Sequence, residues 1–342
     1  MANGRTNNSN FTMDDIASEL GLSKSTVSRA LAGSDRISSE TKERVNECAR
    51  KHGFRPNLVA RALAGQKTLN IAVVLPFEAN AAQMLFFHEC LSGIVARAAK
   101  DAYSVLVCMT DNEAAEILES VLENKKADSV VLTQLRHNDK NISLLKKYST
   151  PFVVIGSGAG DDVIQVDSRM KENCREFTKV CSENLPSAGK VLFVCGSLDV
   201  EANKNRLSGF LSAMEELSSS GRDMKYAVCT DSSDIDGRFD LSVWNLILCS
   251  DDVVCAGVLN ILKEERIKIG KDGVMLASFH DSVLLKSNTP GISALNVSAG
   301  ALGKRACEIA LGLSGRPSSV PCETMNYVEC TFEMRESTGG GK

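Results

Sequence analysis

The sequence predicts a small all-α head containing a helix-turn-helix, a hinge helix, and a two-lobed α/β body of doubly wound parallel sheets. Three observations carry that prediction. Residues 12–31 hold two short amphipathic patterns around Gly21. From Leu69 onward, continuous apolar runs alternate with amphipathic stretches, the pattern of strands buried on both faces between helices. Charge divides the chain at the same place. Residues 1–68 carry 11 Lys and Arg against 7 Asp and Glu, a net of +4, and the remainder carries 28 against 36, a net of −8. A basic head on an acidic body suits a protein that docks one end on a polyanion.

Residues 1–10 are polar and predict a disordered arm. Thr12 is placed to cap a first helix with Asp15 as its capping-box partner. Ile16, Ala17 and Leu20 form its apolar stripe, Gly21 makes the turn, and Leu22 plugs the gap. Ser23 caps a second helix whose Val27, Ala30 and Leu31 face the same core. Lys24, Ser25, Thr26, Ser28 and Arg29 are left for an outer, polar and cationic face that suits a DNA major groove. Gly33 ends that helix, and Ser38 or Ser39 caps a third from about Glu40 to His52. Asn57 caps a two-turn helix over 58–64, ended by Gly65, which is too short to be stable alone in water. The head thus spans 11–55, and a hinge helix with its linker spans 56–68.

In the body, strands are expected at 70–75, 104–109, 129–132, 152–155, 191–195, 227–229, 246–249 and 274–277. Helices are expected near 81–100, 112–124, 140–148, 170–184, 203–219, 252–265 and 299–313. That is too many strands for one sheet of ordinary size, so two lobes are expected, with a break near 156–166. Glycines at 156, 158 and 160 follow a strand, as in a phosphate cradle, but Asp161-Asp162 comes at once and no helix begins there. The stretch reads as a flexible interlobe loop. Ligands of open parallel sheets bind beyond the carboxyl ends of the strands, so two facing lobes make a cleft for a small molecule.

At 43% hydrophobic and 24% charged residues, the chain can bury sizeable cores. No apolar run reaches membrane-spanning length and no secretory leader is evident, so a cytoplasmic protein without a membrane partner is expected. The 12 cysteines are then expected to be reduced. The absence of a Cys-x-x-Cys pair and the scatter of His52, His88, His137 and His280 speak against a structural zinc site, and no cofactor is expected.

The stretch from Thr12 to Arg29, followed by Pro56-Asn57-x-x-Ala60-x-x-Leu63-Ala64-Gly65, resembles the head and hinge of the lactose-repressor/galactose-repressor (LacI/GalR) family of bacterial transcription factors. The resemblance implies that hinge helices of two subunits pair in the minor groove at Ala60, with Leu63 wedged between base pairs to kink the DNA. It also implies a periplasmic-binding-protein-like body. Phe86-Phe87 with Gly93-Ile94 is similar to the family's aromatic segment, Arg206-Leu-Ser-Gly209-Phe210 to its effector-binding Arg-x-x-Gly-Phe, and Asp251-Asp252 with Ala256-Gly257 to its Asn-Asp-x-x-Ala-x-Gly segment. Asn296 falls where a glutamine usually follows the late strand. On this footing lobe 1 takes about 69–166 and 297–325, and lobe 2 about 167–296 and 326–335. The last strand is Tyr327–Phe332, on lobe 2, and 336–342 is a flexible tail.

Departures from the family pattern fall where sugar ligands are held. Gly156, Asp251 and His280 stand where the family often has Asp, Asn and Asp. Arg206 is the strongest effector contact, since a guanidinium holds vicinal hydroxyls, a carboxylate or a phosphate. Phe87, Asp251, His280 and Asn296 complete the candidate effector set; Asp251 reads equally as a helix N-cap and His280 as a core residue. In the head, Lys24, Ser25 and Arg29 are expected on base edges or phosphates, with Thr12, Thr26, Ser28, Ser38, Thr41 and Asn57 alongside. The expected function is a homodimeric, non-enzymatic regulator, in the default case a repressor, on a pseudo-palindromic double-stranded operator. A small effector, by default a sugar or sugar derivative, switches it. The competing readings are a two-lobed solute-binding protein, a regulator with a degenerate effector site, and a nucleotide-dependent enzyme.

Overall fold

Thr12 begins the first helix as the spacing requires. Asp15 N donates to Thr12 Oγ1 (3.3 Å) and Thr12 N donates to Asp15 Oδ2 (2.8 Å), a complete capping box at the start of α1 (Met13–Leu20). These bonds from Thr12 hold the Asp15 carboxyl below the usual carboxylate range. Gly21 turns with φ 66°, α2 (Lys24–Leu31) follows, and Ser38 caps α3 (Ser39–Lys51). Ile16, Val27, Ala30, Val45, Cys48 and Ala49 are buried together as the core of this unit.

The computed structural model describes residues 11–31, 34, 36–54, 67–77, 84–110, 115–230, 235, 239–316 and 323–340. It divides into two units, Met1–Thr68 and Leu69–Lys342. The expected arm 1–10, the stop at Gly33, and the hinge helix with Asn57, Ala60 and Leu63 lie outside the described residues.

The second unit holds two six-stranded sheets. The first contains β1 (Asn70–Pro76), β2 (Ser104–Thr110), β3 (Ser129–Leu132), β4 (Phe152–Ile155), β5 (Gln165–Asp167) and β11 (Met325–Tyr327), all parallel, in the order β11-β5-β4-β3-β1-β2. The second contains β6 (Lys190–Val194), β7 (Lys225–Cys229), β8 (Leu246–Cys249), β9 (Met275–Ser278), β10 (Ser293–Asn296) and β12 (Thr331–Glu333), in the order β12-β10-β9-β8-β6-β7. Only its edge strand β12 is antiparallel to its neighbour.

Alternation along β1 shows why the apolar runs are continuous. Ile71, Val73 and Leu75 join one core with α4 (Met84–Ala99) and α11 (Ala299–Leu313), while Ala72 and Val74 join another with α5 (Glu116–Glu123) and α6 (Lys140–Lys147). Both faces are dry, so both parities are apolar. The second sheet repeats this. Its one face carries α7 (Met170–Ser182) and α8 (Glu201–Ser219), and its other carries α9 (Asp252–Glu264) and α10 (Val283–Ser287). No described helix is long and apolar enough to cross a membrane. The eleven described cysteines are free thiols, ten of them buried. Burial pushes Cys195 and Cys307 up to about 12.

Three expectations fail. The stretch 156–166 is neither a free loop nor the crossing between lobes. Gly156, Gly158 and Gly160 take positive φ, and the buried Gln165 side chain fastens them, accepting from Gly158 N and Ala159 N (both 2.8 Å) and donating to Gly160 O (3.0 Å). The chain then enters β5 before it crosses. Second, Tyr327–Phe332 is not one strand. Met325–Tyr327 pairs with β5 in the first sheet, and the chain crosses before Thr331–Glu333 pairs with β10 in the second. Third, the tail is docked through residue 338. Glu336–Thr338 form a helical turn with Ser337 and Thr338 buried. Short polar side chains there bond to sheet backbone, which no hydropathy pattern announces.

Candidate functional site

In the head, Ser23 caps α2 by accepting from Thr26 N (3.1 Å), and the Thr26 hydroxyl folds back on Ser23 Oγ (2.8 Å). Thr26 is therefore half-buried and serves the cap. Val27 and Ala30 turn inward, leaving Lys24, Ser25, Ser28 and Arg29 exposed. Lys24 Nζ lies 2.7 Å from Asp14 Oδ2, with both side chains well exposed. An exposed pair of this kind contributes about 0–1 kcal/mol, so Lys24 can exchange it for a phosphate at small cost. Thr12 and Ser38 are exposed at the starts of α1 and α3, and Thr41 N donates to Ser38 Oγ (3.3 Å). Helix N-termini present unpaired N–H groups, and these suit a phosphate backbone.

In the second unit, the strand ends of the two sheets face a cavity of about 140 Å³. Phe87, Arg206, Asp251 and His280 line it. Arg206 owes its place to its neighbours in sequence. A Cβ at Gly209 would collide with Lys171 O, so the glycine lets α8 lie close against α7. Phe210 fills the core, and Arg206, one turn earlier, reaches the cavity. Gly209→Ala is expected to cost about 1–3 kcal/mol through overpacking, read as a lower melting temperature; an unchanged value would contradict the tight helix pair.

Arg206 Nη1 donates to Asn203 Oδ1 (2.9 Å) and lies 3.8 Å from Asp251 Oδ2. Asp251 Oδ1 accepts from Val254 N (2.9 Å) as the N-cap of α9, and the residue also lines the cavity. His280 is buried, its Nδ1 3.0 Å from Asp252 Oδ1, and Phe86 packs edge-on against its ring at 5.4 Å. Burial raises the Asp252 carboxyl, but the bond and charge of His280 outweigh it and leave it below the usual range. Phe87 lines the cavity while packed into the first-lobe core.

Asn296 is the misplaced candidate. Its Oδ1 accepts from Ser298 N (3.0 Å), and it is not among the cavity-lining residues. It orders a crossing between lobes, as Asp167 does at another by accepting from Met170 N (3.0 Å). Arg169 and Ser298, which begin the helices after these two crossings, hold left-handed φ values of 51° and 49°. The sequence reading also missed Ser168, Asn203 and Asp252 as lining residues. Asp252 stood beside Asp251 in the quoted segment; Ser168 follows a three-residue strand that leaves almost no apolar signal.

Three buried atoms at this cavity make no well-formed hydrogen bond, Arg206 Nε, Asp252 Oδ2 and Ser168 Oγ, although the Ser282 hydroxyl beside Asp252 helps hold its carboxyl down. Such groups are costly unless something completes them. Contacts across the mouth enclose them. His137 N donates to Asp199 O (2.8 Å), Glu201 N to Leu135 O (3.0 Å), and Arg136 Nη1 to Asp199 Oδ2 (3.0 Å). On the other side Asn205 Nδ2 donates to Ser157 O (3.1 Å).

The family model described as bacterial regulatory proteins, lacI family, matches residues 12–57. The chain carries a lacI-family helix-turn-helix domain at residues 12–57. It is a DNA-binding transcriptional regulator, and a periplasmic binding protein-like domain matches its residues 189–338. Among its relatives, the HTH-type transcriptional regulator MalR of Staphylococcus xylosus is 26% identical over 313 residues, 88% of this chain and 91% of that one. Catabolite control protein A of Staphylococcus epidermidis is 25% identical, covering 83% and 86%. The fold matches the lac repressor dimer bound to operator and the anti-inducer ONPF, with TM-score 0.71 at 18% identity over 96% of this chain and 98% of that one. It also matches a transcriptional regulator CelR–cellobiose complex, with TM-score 0.66 at 20% identity over 95% and 99%.

Proposed function

We propose that this regulator represses transcription as a homodimer on a pseudo-palindromic operator and releases or tightens its grip when a neutral polyhydroxylated molecule, a sugar or close derivative, occupies the cleft. The observation that carries the ligand class is the trio of buried groups without a well-formed hydrogen bond. One N–H donor, one carboxylate acceptor and one hydroxyl suit a ring bearing several hydroxyls. The charge around them favours a neutral ligand. Asp167, Glu201, Asp251 and Asp252 line the cavity against the single guanidinium of Arg206, a poor setting for a sugar phosphate. A cellobiose complex of a similarly folded regulator supports the choice. The test is a thermal-shift screen of the full chain against neutral sugars, amino sugars and sugar phosphates. Stabilisation by a neutral sugar supports the reading, and stabilisation by phosphates alone refutes it.

Operator contacts are proposed for Lys24, Ser25, Ser28 and Arg29, with Thr12, Thr26, Ser38 and Thr41 holding phosphates directly or through their caps. Asn57, Ala60 and Leu63 are carried over from the family's hinge. Arg29→Ala is expected to weaken operator binding by about 5- to 150-fold, the worth of one good base contact at about 1–3 kcal/mol, and to leave ligand-induced stabilisation unchanged. Fluorescence anisotropy with an operator duplex measures it, and wild-type affinity would remove Arg29 from the interface. A cytoplasmic regulator without catalytic activity completes the reading, in keeping with relatives named as regulators.

A further inference from the structure

The ends of α1 and α3 bring together three side chains that operator recognition does not use. Cys48 and His52 are four residues apart along α3 and its C-terminal turn, so both project from one face. Glu19 reaches them from α1. The thiol sulfur, an imidazole nitrogen and a carboxylate oxygen all lie within 4.8 Å of one another. His52 Nε2 is 2.8 Å from Glu19 Oε2. Phe11 stacks flat on the imidazole, with ring centroids 4.0 Å apart and planes 10° apart, which fixes the ring's orientation. Lys51 Nζ lies 3.4 Å from the other carboxylate oxygen, Oε1, and leaves Oε2 turned toward His52. Cys48 is buried while the His52 and Glu19 side chains are 30% and 36% exposed, so the three donors meet where water can reach.

We propose that Glu19, Cys48 and His52 bind a divalent transition-metal ion of the zinc class, with its fourth position open to solvent. Thiolate, imidazole and carboxylate are zinc and cobalt donors, whereas magnesium and calcium take oxygen. Binding requires the Cys48 S–H proton to leave for solvent and His52 Nε2 to be free of a proton, with the other ring nitrogen carrying it. The bound ion ties the end of α1 to the end of α3. The sequence concealed the site because Glu19 comes from a different helix than Cys48 and His52, and the three follow no Cys-x-x-Cys spacing.

The experiment strips the full-length chain with a chelator, titrates it with Co²⁺, then displaces Co²⁺ with Zn²⁺. Expected are one equivalent bound, a thiolate-to-cobalt charge-transfer band, and loss of that band on adding Zn²⁺. Cys48→Ala is expected to abolish the band despite the other thiols. Glu19→Gln, at an exposed position that leaves the core untouched, is expected to weaken Zn²⁺ at least about tenfold. Absence of the band, its survival in Cys48→Ala, or unchanged affinity in Glu19→Gln overturns the proposal.

Discussion

Arg206→Ala is expected to abolish stabilisation by the cleft ligand and the ligand's effect on operator binding, while operator affinity without ligand stays within about twofold. The side chain is only 12% exposed and its Nε–H makes no well-formed hydrogen bond. A hydrogen bond to a charged group contributes about 1.5–3 kcal/mol, so losing one or two weakens the ligand by at least about tenfold. The fold should tolerate the change. Asp251 keeps its bond from Val254 N and accepts from Ser250 Oγ (3.1 Å), so it is not stranded when the guanidinium goes. Thermal shift with the screened sugar and anisotropy with operator read the two properties separately. A full ligand response in the variant would mean the arginine is structural.

Ending the chain at Arg335 is expected to destabilise the second unit by about 3–5 kcal/mol, from several hydrogen bonds worth about 1 kcal/mol each and the burial lost with them. Ser337 Oγ donates to Leu276 O (2.6 Å) and accepts from Ser293 N (2.9 Å). Thr338 Oγ1 is 2.6 Å from Ser293 Oγ, and the Glu336 carboxylate accepts from Gly291 N (3.1 Å). Truncation uncovers these β9 and β10 groups. Calorimetry should show a melting temperature several degrees below that of the full chain. Equal melting temperatures would refute the docking.

The sequence made most of the framework legible because strands buried on both faces are apolar at nearly every position. Residues 129–132, 152–155 and 246–249 were read to the residue for this reason. The capping box at Thr12 and the turn at Gly21 were equally plain, since each demands particular side chains. What escaped was written in polar residues. Strand β5 is three residues long and held by Gln165, Ser337 fastens the C-terminal turn, and Asn296 orders a crossing. Polar side chains gain meaning from partners distant in sequence, so their roles stay hidden until the fold supplies those partners. The cavity shows the same limit: Arg206 was visible through its motif, while Asn203 and Ser168 matter only through what they face.

The bridges across the cleft mouth have a consequence for time. With Arg136 on Asp199, backbone bonds at His137 and Glu201, and Asn205 on Ser157, a bound molecule is held behind contacts from both lobes. It leaves when those contacts break together, not whenever it drifts. Its residence would then depend on how often these contacts break together as well as on the ligand's own contacts. Such a cleft would hold its ligand through drops in outside concentration shorter than the time those contacts take to break.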